Sequence, residues 1–332
     1  MRNIVELRNI TIDYNLKKYS LRAVSNVSLQ IKKGLITALV GESGSGKSTL
    51  ATSLLEVIST PGAIDSGEIL YFGNNDLKDI RKMSENELTA FRWSEISMVF
   101  QGAQSALNPI MTIYDQFEET YLVHNRHMKK KEAIKLAKQK SIELLKFVNL
   151  DPDRILQMYP HELSGGMKQR AMIAFSLLLN PKLIILDEPT TALDVIVQGY
   201  IFKILKKINV DMGISMLLLT HDIGVVAEFA DYVAVMYGGK LMEYGTTHEV
   251  FKDRMHPYSS GLIDSTPSLL LDIDAMKPIK GSPPDIRNLP EGCVFHPRCD
   301  FCMEKCKTIE PKDYLQNDHM VKCHLLEDVW TQ

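Results

Sequence analysis

Ile36-Thr37-Ala38-Leu39-Val40-Gly41-Glu42-Ser43-Gly44-Ser45-Gly46-Lys47-Ser48 is the stretch that decides the fold. Residues 36–40 form a short apolar run typical of a buried strand, with Gly34 turning the chain into it. Residues 41–48 then fit G-x-x-x-x-G-K-[ST], and residues 48–58 continue with helical period, Leu50, Leu54 and Leu55 on one side. A glycine-rich turn that held Gly-Lys-Ser by accident would lack the strand before it and the helix after it. Gly41, Gly44 and Gly46 let the backbone turn its N–H groups onto phosphate oxygens, with Ser43, Ser45 and Thr49 completing the cradle. Lys47 is expected to reach the β- and γ-phosphates, and Ser48 to ligate Mg²⁺. The predicted ligand is a nucleoside triphosphate.

A second element, Leu183-Ile184-Ile185-Leu186-Asp187-Glu188, is an apolar strand ending in two acids. Ligands bind at the carboxyl ends of parallel strands. Asp187 suits a Mg²⁺-water contact, and Glu188 suits a water poised for in-line attack on the γ-phosphate. Alone such a pair reads as solvated carboxylates; with a phosphate loop in the same chain it reads as chemistry. Residues 5–12 and 23–31 alternate as strands, Gly62, Gly67 and Gly73 punctuate another strand-and-turn region, and residues 216–219 form a further buried run. From 84 to about 150 the pattern is helical. There, residues 129–150 set Ile134, Ala137, Ser141, Leu145 and Val148 on one face and lysines on the other. No aromatic residues interleave with those lysines, so they read as a solvated face rather than a nucleic-acid patch. Strands alternating with helices predict a parallel sheet covered on both faces.

Composition narrows the class. The chain has 332 residues, 38 basic and 41 acidic, for a net charge of −3, with 45% hydrophobic and 24% charged residues. These values exclude a disordered or collagen-like chain, and near-neutrality argues against a nucleic-acid partner. No apolar run reaches the ~18–20 residues of a membrane span, and residues 1–14 lack the apolar core of a secretory signal. A soluble intracellular protein is expected. All five cysteines, Cys293, Cys299, Cys302, Cys306 and Cys323, fall in the last 40 residues. In a cytosolic chain such clustering points to metal ligation rather than disulfides.

The motifs together resemble a known family. Leu163-Ser164-Gly165-Gly166-Met167-Lys168-Gln169 is similar to the signature of ATP-binding cassette (ABC) ATPases, with Gly166 the required 21 positions before Asp187. Gln101 resembles that family's Q-loop, Thr191-Ala192-Leu193-Asp194 its D-loop, and His221 its switch histidine. The resemblance implies a P-loop NTPase α/β fold of ABC type, with a mixed sheet core and antiparallel β and helical subdomains. It implies that Ser164, Gly165, Gly166, Gln169 and Asp194 serve the ATP held by a partner chain in a head-to-tail dimer. It further implies that Gln101 joins Ser48 and Asp187 around Mg²⁺, that His221 contacts the γ-phosphate beside Glu188, and that a tyrosine stacks on adenine. Tyr19 is the choice for that stack, with Tyr14 the alternative.

The tail resembles one branch of that family. His256-Pro257-Tyr258, Gly281-Ser282-Pro283-Pro284 and Gly292-Cys293-Val294-Phe295-His296-Pro297-Arg298-Cys299 look like the C-terminal extension of oligopeptide and dipeptide importer ATPases. Phe100-Gln101-Gly102-Ala103 and Leu107-Asn108-Pro109 share the likeness. The division expected is an ATPase domain over 1–240, with a helical subdomain at about 84–165, and a small irregular metal-bound domain over 241–332. Cys293, Cys299, Cys306 and Cys323, with 5, 6 and 16 residues between them, resemble a [4Fe–4S] ligand set. Zinc, with His296 or His324 joining, is the runner-up, and Cys302 has no assigned role. Implied partners are two permease subunits, a second ABC ATPase (a non-identical chain, with a homodimer the alternative) and, indirectly, an extracytoplasmic solute-binding protein, at the cytoplasmic face of the cell membrane. Alternative cargoes are nickel or an oligosaccharide; a non-transport ABC ATPase is the more distant reading.

Overall fold

Residues 2–73, 76–102, 106–265 and 278–327 are described by the computed structural model; Ala103 of the quoted motif lies outside them. The chain divides into two compact units, one of residues 1–82 with 217–332 and the other of residues 83–216. Strands number in chain order as β1 (Asn3–Asn15), β2 (Ser20–Lys32), β3 (Ile36–Val40), β4 (Gly62–Phe72), β5 (Leu77–Asp79), β6 (Ile96–Val99), β7 (Leu183–Asp187), β8 (Ser215–Leu219), β9 (Tyr232–Tyr237), β10 (Lys240–Thr246), β11 (Tyr314–Gln316) and β12 (His319–Val321).

In the first unit, β2-β1-β4-β5 form an antiparallel sheet. The alternation read from the sequence buries Val5, Leu7, Ile10 and Ile12 on β1 and Val24, Val27, Leu29 and Ile31 on β2. Register shifts interrupt the pairing near Asn9 and Asn26, both at φ of 50°. Asparagine tolerates that left-handed conformation better than most residues, so the bulges fall where it stands. A second run, β11-β12-β10-β9, is antiparallel until β9 meets β3, where Thr37 to Val40 pair in parallel with Tyr232 to Val235. The sheet is therefore mixed, as the family resemblance implies, whereas strand–helix alternation by itself predicted a parallel one. Pairs such as β9–β10, joined by the tight Gly238-Gly239 turn (φ 54° and 78°), need no helix between them.

The tail has a core. Cys293, Val294, Phe295 and Cys306 pack with Ala38 and Val40 of β3, Val233 and Val235 of β9, and Tyr258 in one buried cluster. Beside it, the wholly buried Glu243 of β10 accepts N–H bonds from Met255 (2.9 Å) and His256 (3.2 Å) and meets Nε2 of His319 at 2.9 Å. One carboxylate thus ties β10, β12 and the start of the helix Pro257–Asp264. His256 caps that helix, its Nδ1 accepting from the Tyr258 N–H at 2.9 Å.

The second unit pairs β6 with β7 in parallel and surrounds them with the helices Glu85–Phe91, Ile113–His124, Lys130–Phe147, Gly165–Ser176 and Val195–Met212. β6 lies inside the stretch read as helical. Ile-Ser-Met-Val is too short to display any period, so only its pairing with β7 reveals it as a strand. Lys130–Phe147 buries Ala133, Ala137, Ser141, Leu144 and Leu145, the expected face except that Ile134 is only partly covered. Phe175 packs in tilted contact with Trp93 (4.5 Å) and Phe117 (4.9 Å), and the fully buried Phe117 ring contributes about 1.5–3 kcal/mol. The helix after the phosphate loop runs only Lys47–Ser53, shorter than the expected 48–58, because Glu56 adopts φ of 51° and leaves the helical region. Among the described residues, no helix is long and apolar enough to cross a membrane.

Burial holds the His256 imidazole down to about 4 against its usual 6.5. Above pH 6.5 it is neutral folded or unfolded. As pH falls from 6.5 toward 4 the unfolded chain takes up a proton that the fold refuses, and up to roughly 3 kcal/mol of stability is lost. In denaturant titrations at pH 7, 5.5 and 4.5, His256→Asn, which keeps a cap acceptor, should flatten this dependence. An unchanged pH profile in the variant would refute the assignment to His256.

Candidate active site

β3 delivers the chain at Val40 into the glycine loop, and the geometry there explains each glycine. Gly41 has φ of 145°, and a Cβ on it would sit 2.1 Å from the Met236 carbonyl oxygen of β9. Gly46, at φ 97°, would place a Cβ 2.5 Å from the Ala23 carbonyl oxygen of β2. At these two positions the loop is wedged against neighbouring strands with no room for a side chain. Gly44, also left-handed at φ 79°, faces open space. Lys47 Nζ curls back across the loop, donating to the carbonyls of Gly41 (2.8 Å) and Glu42 (3.1 Å) and lying 3.5 Å from Ser45 Oγ. Ser45 is buried and its carbonyl accepts from the Gly239 N–H at 3.1 Å, while Ser43, Gly44 and Ser48 are exposed. Thr49 stands half-buried on the first helical turn.

Of the two tyrosines considered for adenine, Tyr14 is half-buried in β1 with its ring edge 2.7 Å from where a Gly62 Cβ would stand. Tyr19 is 48% exposed, immediately before β2. His221 is exposed just past β8, next to Asp222, whose side chain caps the helix Ile223–Phe229 by accepting from the Val225 N–H.

The second unit brings its own expected residues together. Asp187 ends β7 and is buried; Glu188 follows at φ of 46°. Glu188 Oε2 accepts from Gln101 Nε2 at 2.9 Å and from Thr191 Oγ1 at 2.9 Å. Two residues 87 positions apart, chosen separately from the sequence, thus touch. Ser164 caps the helix Gly165–Ser176 by accepting from the Met167 N–H. Gly166 has a side chain's width only at a cost, since a Cβ there would stand 3.0 Å from Val197 Cγ1. Gln169 is buried and its Nε2 has no hydrogen-bond partner among the described residues. Asp194 caps the helix Val195–Met212 through the Val197 N–H at 3.0 Å.

A family model described as "ABC transporter" matches residues 24–191, and one described as "Oligopeptide/dipeptide transporter, C-terminal region" matches residues 242–306. The chain belongs to the ABC transporter ATP-binding subunits of the oligopeptide/dipeptide family. It is 43% identical over 329 residues to the dipeptide transport ATP-binding protein DppD of Caldanaerobacter subterraneus subsp. tengcongensis, covering 99% of this chain and 98% of the relative. It is 42% identical over 331 residues to the oligopeptide transport ATP-binding protein AppD of Bacillus subtilis, with 99% and 98% covered. Among solved structures, a dimeric ATP-binding cassette in a post-hydrolysis state with ADP and Pi is similar at TM-score 0.61 and 33% identity, covering 73% of this chain and 98% of that one. The cbiO1 structure from Clostridium perfringens, part of an ABC transporter complex, is similar at TM-score 0.62 and 29% identity, covering 76% and 93%.

The tail of this ABC subunit adds two features. Cys293, Cys299, Cys306 and Cys323 line one pocket with Phe295, Phe301, Met303 and Leu325, whereas Cys302 is exposed and directed at the Met303 carbonyl. Burial pushes the Cys293 and Cys299 thiols up to about 11, so without a bound cation they stay protonated at neutral pH. Yet among the described residues no three His, Cys, Asp or Glu side chains are grouped to hold a metal ion. The metal-bound character expected for the tail is therefore not met by a single-ion site. A lone zinc needs its sulfurs about 2.3 Å from one centre. The histidines offered to it, His296 and His324, line the same pocket, each with one ring nitrogen on a backbone carbonyl. His296 Nδ1 lies 3.0 Å from the Cys293 carbonyl and His324 Nε2 lies 2.9 Å from the Ile309 carbonyl.

The second feature had no signal in the sequence. Arg298 forks onto the Glu42 carboxylate of the phosphate loop, 256 positions away, and the Tyr258 hydroxyl accepts from the Glu42 N–H. Neither Glu42, at a variable position of its motif, nor an arginine between cysteines announces such a pair.

Gly41 and Gly44 share a left-handed backbone, but only Gly41 faces a carbonyl. Gly41→Ala should therefore lose roughly 2 kcal/mol or more of unfolding free energy beyond the loss from Gly44→Ala. Paired urea titrations check this; equal losses would refute the wedged loop.

Proposed function

We propose that this chain is the ATP-hydrolysing subunit of an ABC importer of dipeptides or oligopeptides. The observation that carries this reading is the match to both regions, cassette and peptide-transporter extension, in one chain whose relatives align from end to end. ATP binding closes a head-to-tail pair of cassettes, and hydrolysis reopens it. The cassette spans 1–240, with its helical subdomain at about 84–165, and the extension spans 241–332.

Each unit contributes its own share of the chemistry. Gly41, Ser43, Gly44, Ser45, Gly46, Lys47 and Thr49 cradle the phosphates, and Ser48 offers its hydroxyl to Mg²⁺. Tyr19 stacks on adenine; its exposure, against the packed ring of Tyr14, supports this choice. Asp187 and Gln101 serve Mg²⁺, Glu188 orients and deprotonates the attacking water, and His221 holds the γ-phosphate. The hydrogen bond from Gln101 to Glu188 supports a shared task for that pair. The reaction is phosphoryl transfer to water, in which positioning and charge neutralisation do most of the catalysis.

Ser164, Gly165, Gly166, Gln169 and Asp194 meet the nucleotide of a second cassette. Val195 and Ile196 beside Asp194 are 82% and 86% exposed, apolar surface suited to such a partner. Ile110, 82% exposed beyond the Gln101 loop, supplies a similar contact for one of two permease subunits, so the chain works at the cytoplasmic face of the cell membrane. An extracytoplasmic binding protein supplies the peptide.

We assign a [4Fe–4S] cluster to the four cysteines; that they line one pocket supports it, since a cubane asks each thiolate to reach a different iron rather than one shared ion. Such a cluster would cross-link the loops that carry Cys293, Cys299, Cys306 and Cys323 and would hold their thiols deprotonated.

Two measurements test these assignments. Glu188→Gln should keep MgATP binding within a few-fold while hydrolysis and peptide uptake by the reconstituted transporter fall at least ~100-fold; near-parental turnover would overturn the role of Glu188. Anaerobically purified protein should be brown, with four irons and four sulfides per chain as the cubane formula requires, and should absorb near ~400 nm. A colourless protein with one zinc per chain would displace the cluster.

A further inference from the structure

We infer that Arg298 of the extension is a positioning residue for ATP binding, acting through Glu42 of the phosphate loop. The inference rests on the reading of that loop as the nucleotide site. Glu42 places a carboxylate within a loop built to receive a triphosphate, where an unscreened negative charge opposes the ligand. Arg298 cancels it: Nη1 lies 2.6 Å from Glu42 Oε2 and Nη2 lies 3.1 Å from Oε1, the two-pronged geometry that only arginine provides. The arginine side chain is 6% exposed and that of Glu42 24%, so solvent screens the pair little.

The guanidinium is committed to this place. Nε donates to the Lys280 carbonyl at 2.7 Å, Nη1 also donates to the Tyr237 hydroxyl at 3.2 Å, and Nη2 reaches the Gly281 carbonyl at 3.5 Å. It lies 5.7 Å from the Tyr237 ring centroid. Tyr258 holds the same loop residue by its backbone, its hydroxyl accepting from the Glu42 N–H at 3.0 Å. Both holding groups come from the extension, and both are fixed by Phe295, whose ring packs 5.2 Å from those of Tyr237 and Tyr258. Arg298 itself closes a short turn in which its N–H donates to the Phe295 carbonyl at 3.0 Å. The carbonyl of Glu42 is in turn one of the two that hold Lys47. A chain of contacts therefore runs from the cysteine-bearing turn through Glu42 to the lysine that meets the phosphates.

The test is a double-mutant cycle on the full-length chain, read by titration with a fluorescent ATP analogue plus Mg²⁺ and by steady-state ATPase kinetics of the assembled transporter. Arg298→Ala should weaken nucleotide binding about 10-fold and raise KM similarly, with kcat within about two-fold of the parent. Arg298→Lys, which keeps the charge but not the fork, should recover part of the loss. In the Glu42→Gln background, removing Arg298 should cost less than about three-fold, because no carboxylate remains to be screened. Should the alanine variant fail to fold, Arg298→Gln, which fills the space and can still donate to Lys280, should give the same several-fold loss. Parental affinity in a folded Arg298→Ala or Arg298→Gln variant, or an equal loss in both Glu42 backgrounds, would overturn the proposal. Failure of the parent protein itself to bind MgATP would instead overturn the reading of the loop.

Discussion

The contact on which the nucleotide loop depends is the approach of its backbone to two carbonyls, Gly41 against Met236 and Gly46 against Ala23. A loop that must aim successive N–H groups at an anion cannot also carry side chains pointing the same way, and here the neighbouring strands occupy that space. The loop therefore takes its shape from β2, β3 and β9 together with its own hydrogen bonds, among them those from Lys47 to the Gly41 and Glu42 carbonyls. That is economical for a site that must be formed before the ligand arrives, because little ordering is left for binding to impose. It also makes the loop sensitive to whatever holds β9, and β9 is paired to β10, the strand on which the tail is built.

What could be read from the sequence followed from local rules. The glycine loop, the acid-tipped strand β7 and the caps at Ser164 and Asp194 are short patterns whose meaning lies in a few consecutive residues. The loop and β7 were legible in this way, whereas Ser164, Asp194 and Gln101 were picked out through the family resemblance and the two caps emerge only in the structure. The pairing of Gln101 with Glu188 brings a reading of each kind into contact. The losses came where structure depends on distant partners. β6 is four residues whose strand character exists only through β7. The antiparallel turn from β9 into β10 at Gly238 and Gly239 is invisible to strand–helix alternation, so the mixed sheet was expected only through the family resemblance. Arg298 and Glu42 belong to the same class: no period or motif links positions 256 apart, and they meet beside the mutual packing of Phe295, Tyr237 and Tyr258.

Glu188 is held in a way that suits a base awaiting its reaction. Its backbone occupies a left-handed conformation that a glutamate adopts only at a cost, and its carboxylate is tethered by Gln101 and Thr191. An amide has two ends. While Gln101 donates through Nε2 to Glu188, its Oε1 remains the natural ligand for a hard cation such as Mg²⁺. One side chain thereby links the proposed metal to the proposed base, and a shift of the Gln101 loop toward or away from a permease would alter both together.

The tail was expected to need a metal because an irregular segment of its size rarely builds a core. It does not stand alone. Phe295, Val294, Cys293 and Cys306 enter the cluster that also buries Val40 and Val235, and Glu243 ties its histidine-bearing strand to β10. A segment so integrated buries part of its apolar surface against β3 and β9, so the four pocket cysteines are not its sole anchor. Their turn carries Arg298, so whatever sets the spacing of those sulfurs also sets the aim of a guanidinium at the phosphate loop. Rigidity in the cysteine pocket and readiness of the nucleotide loop are then two aspects of one packed structure, which explains why an irregular tail is joined to a cassette at this face and not on a free linker.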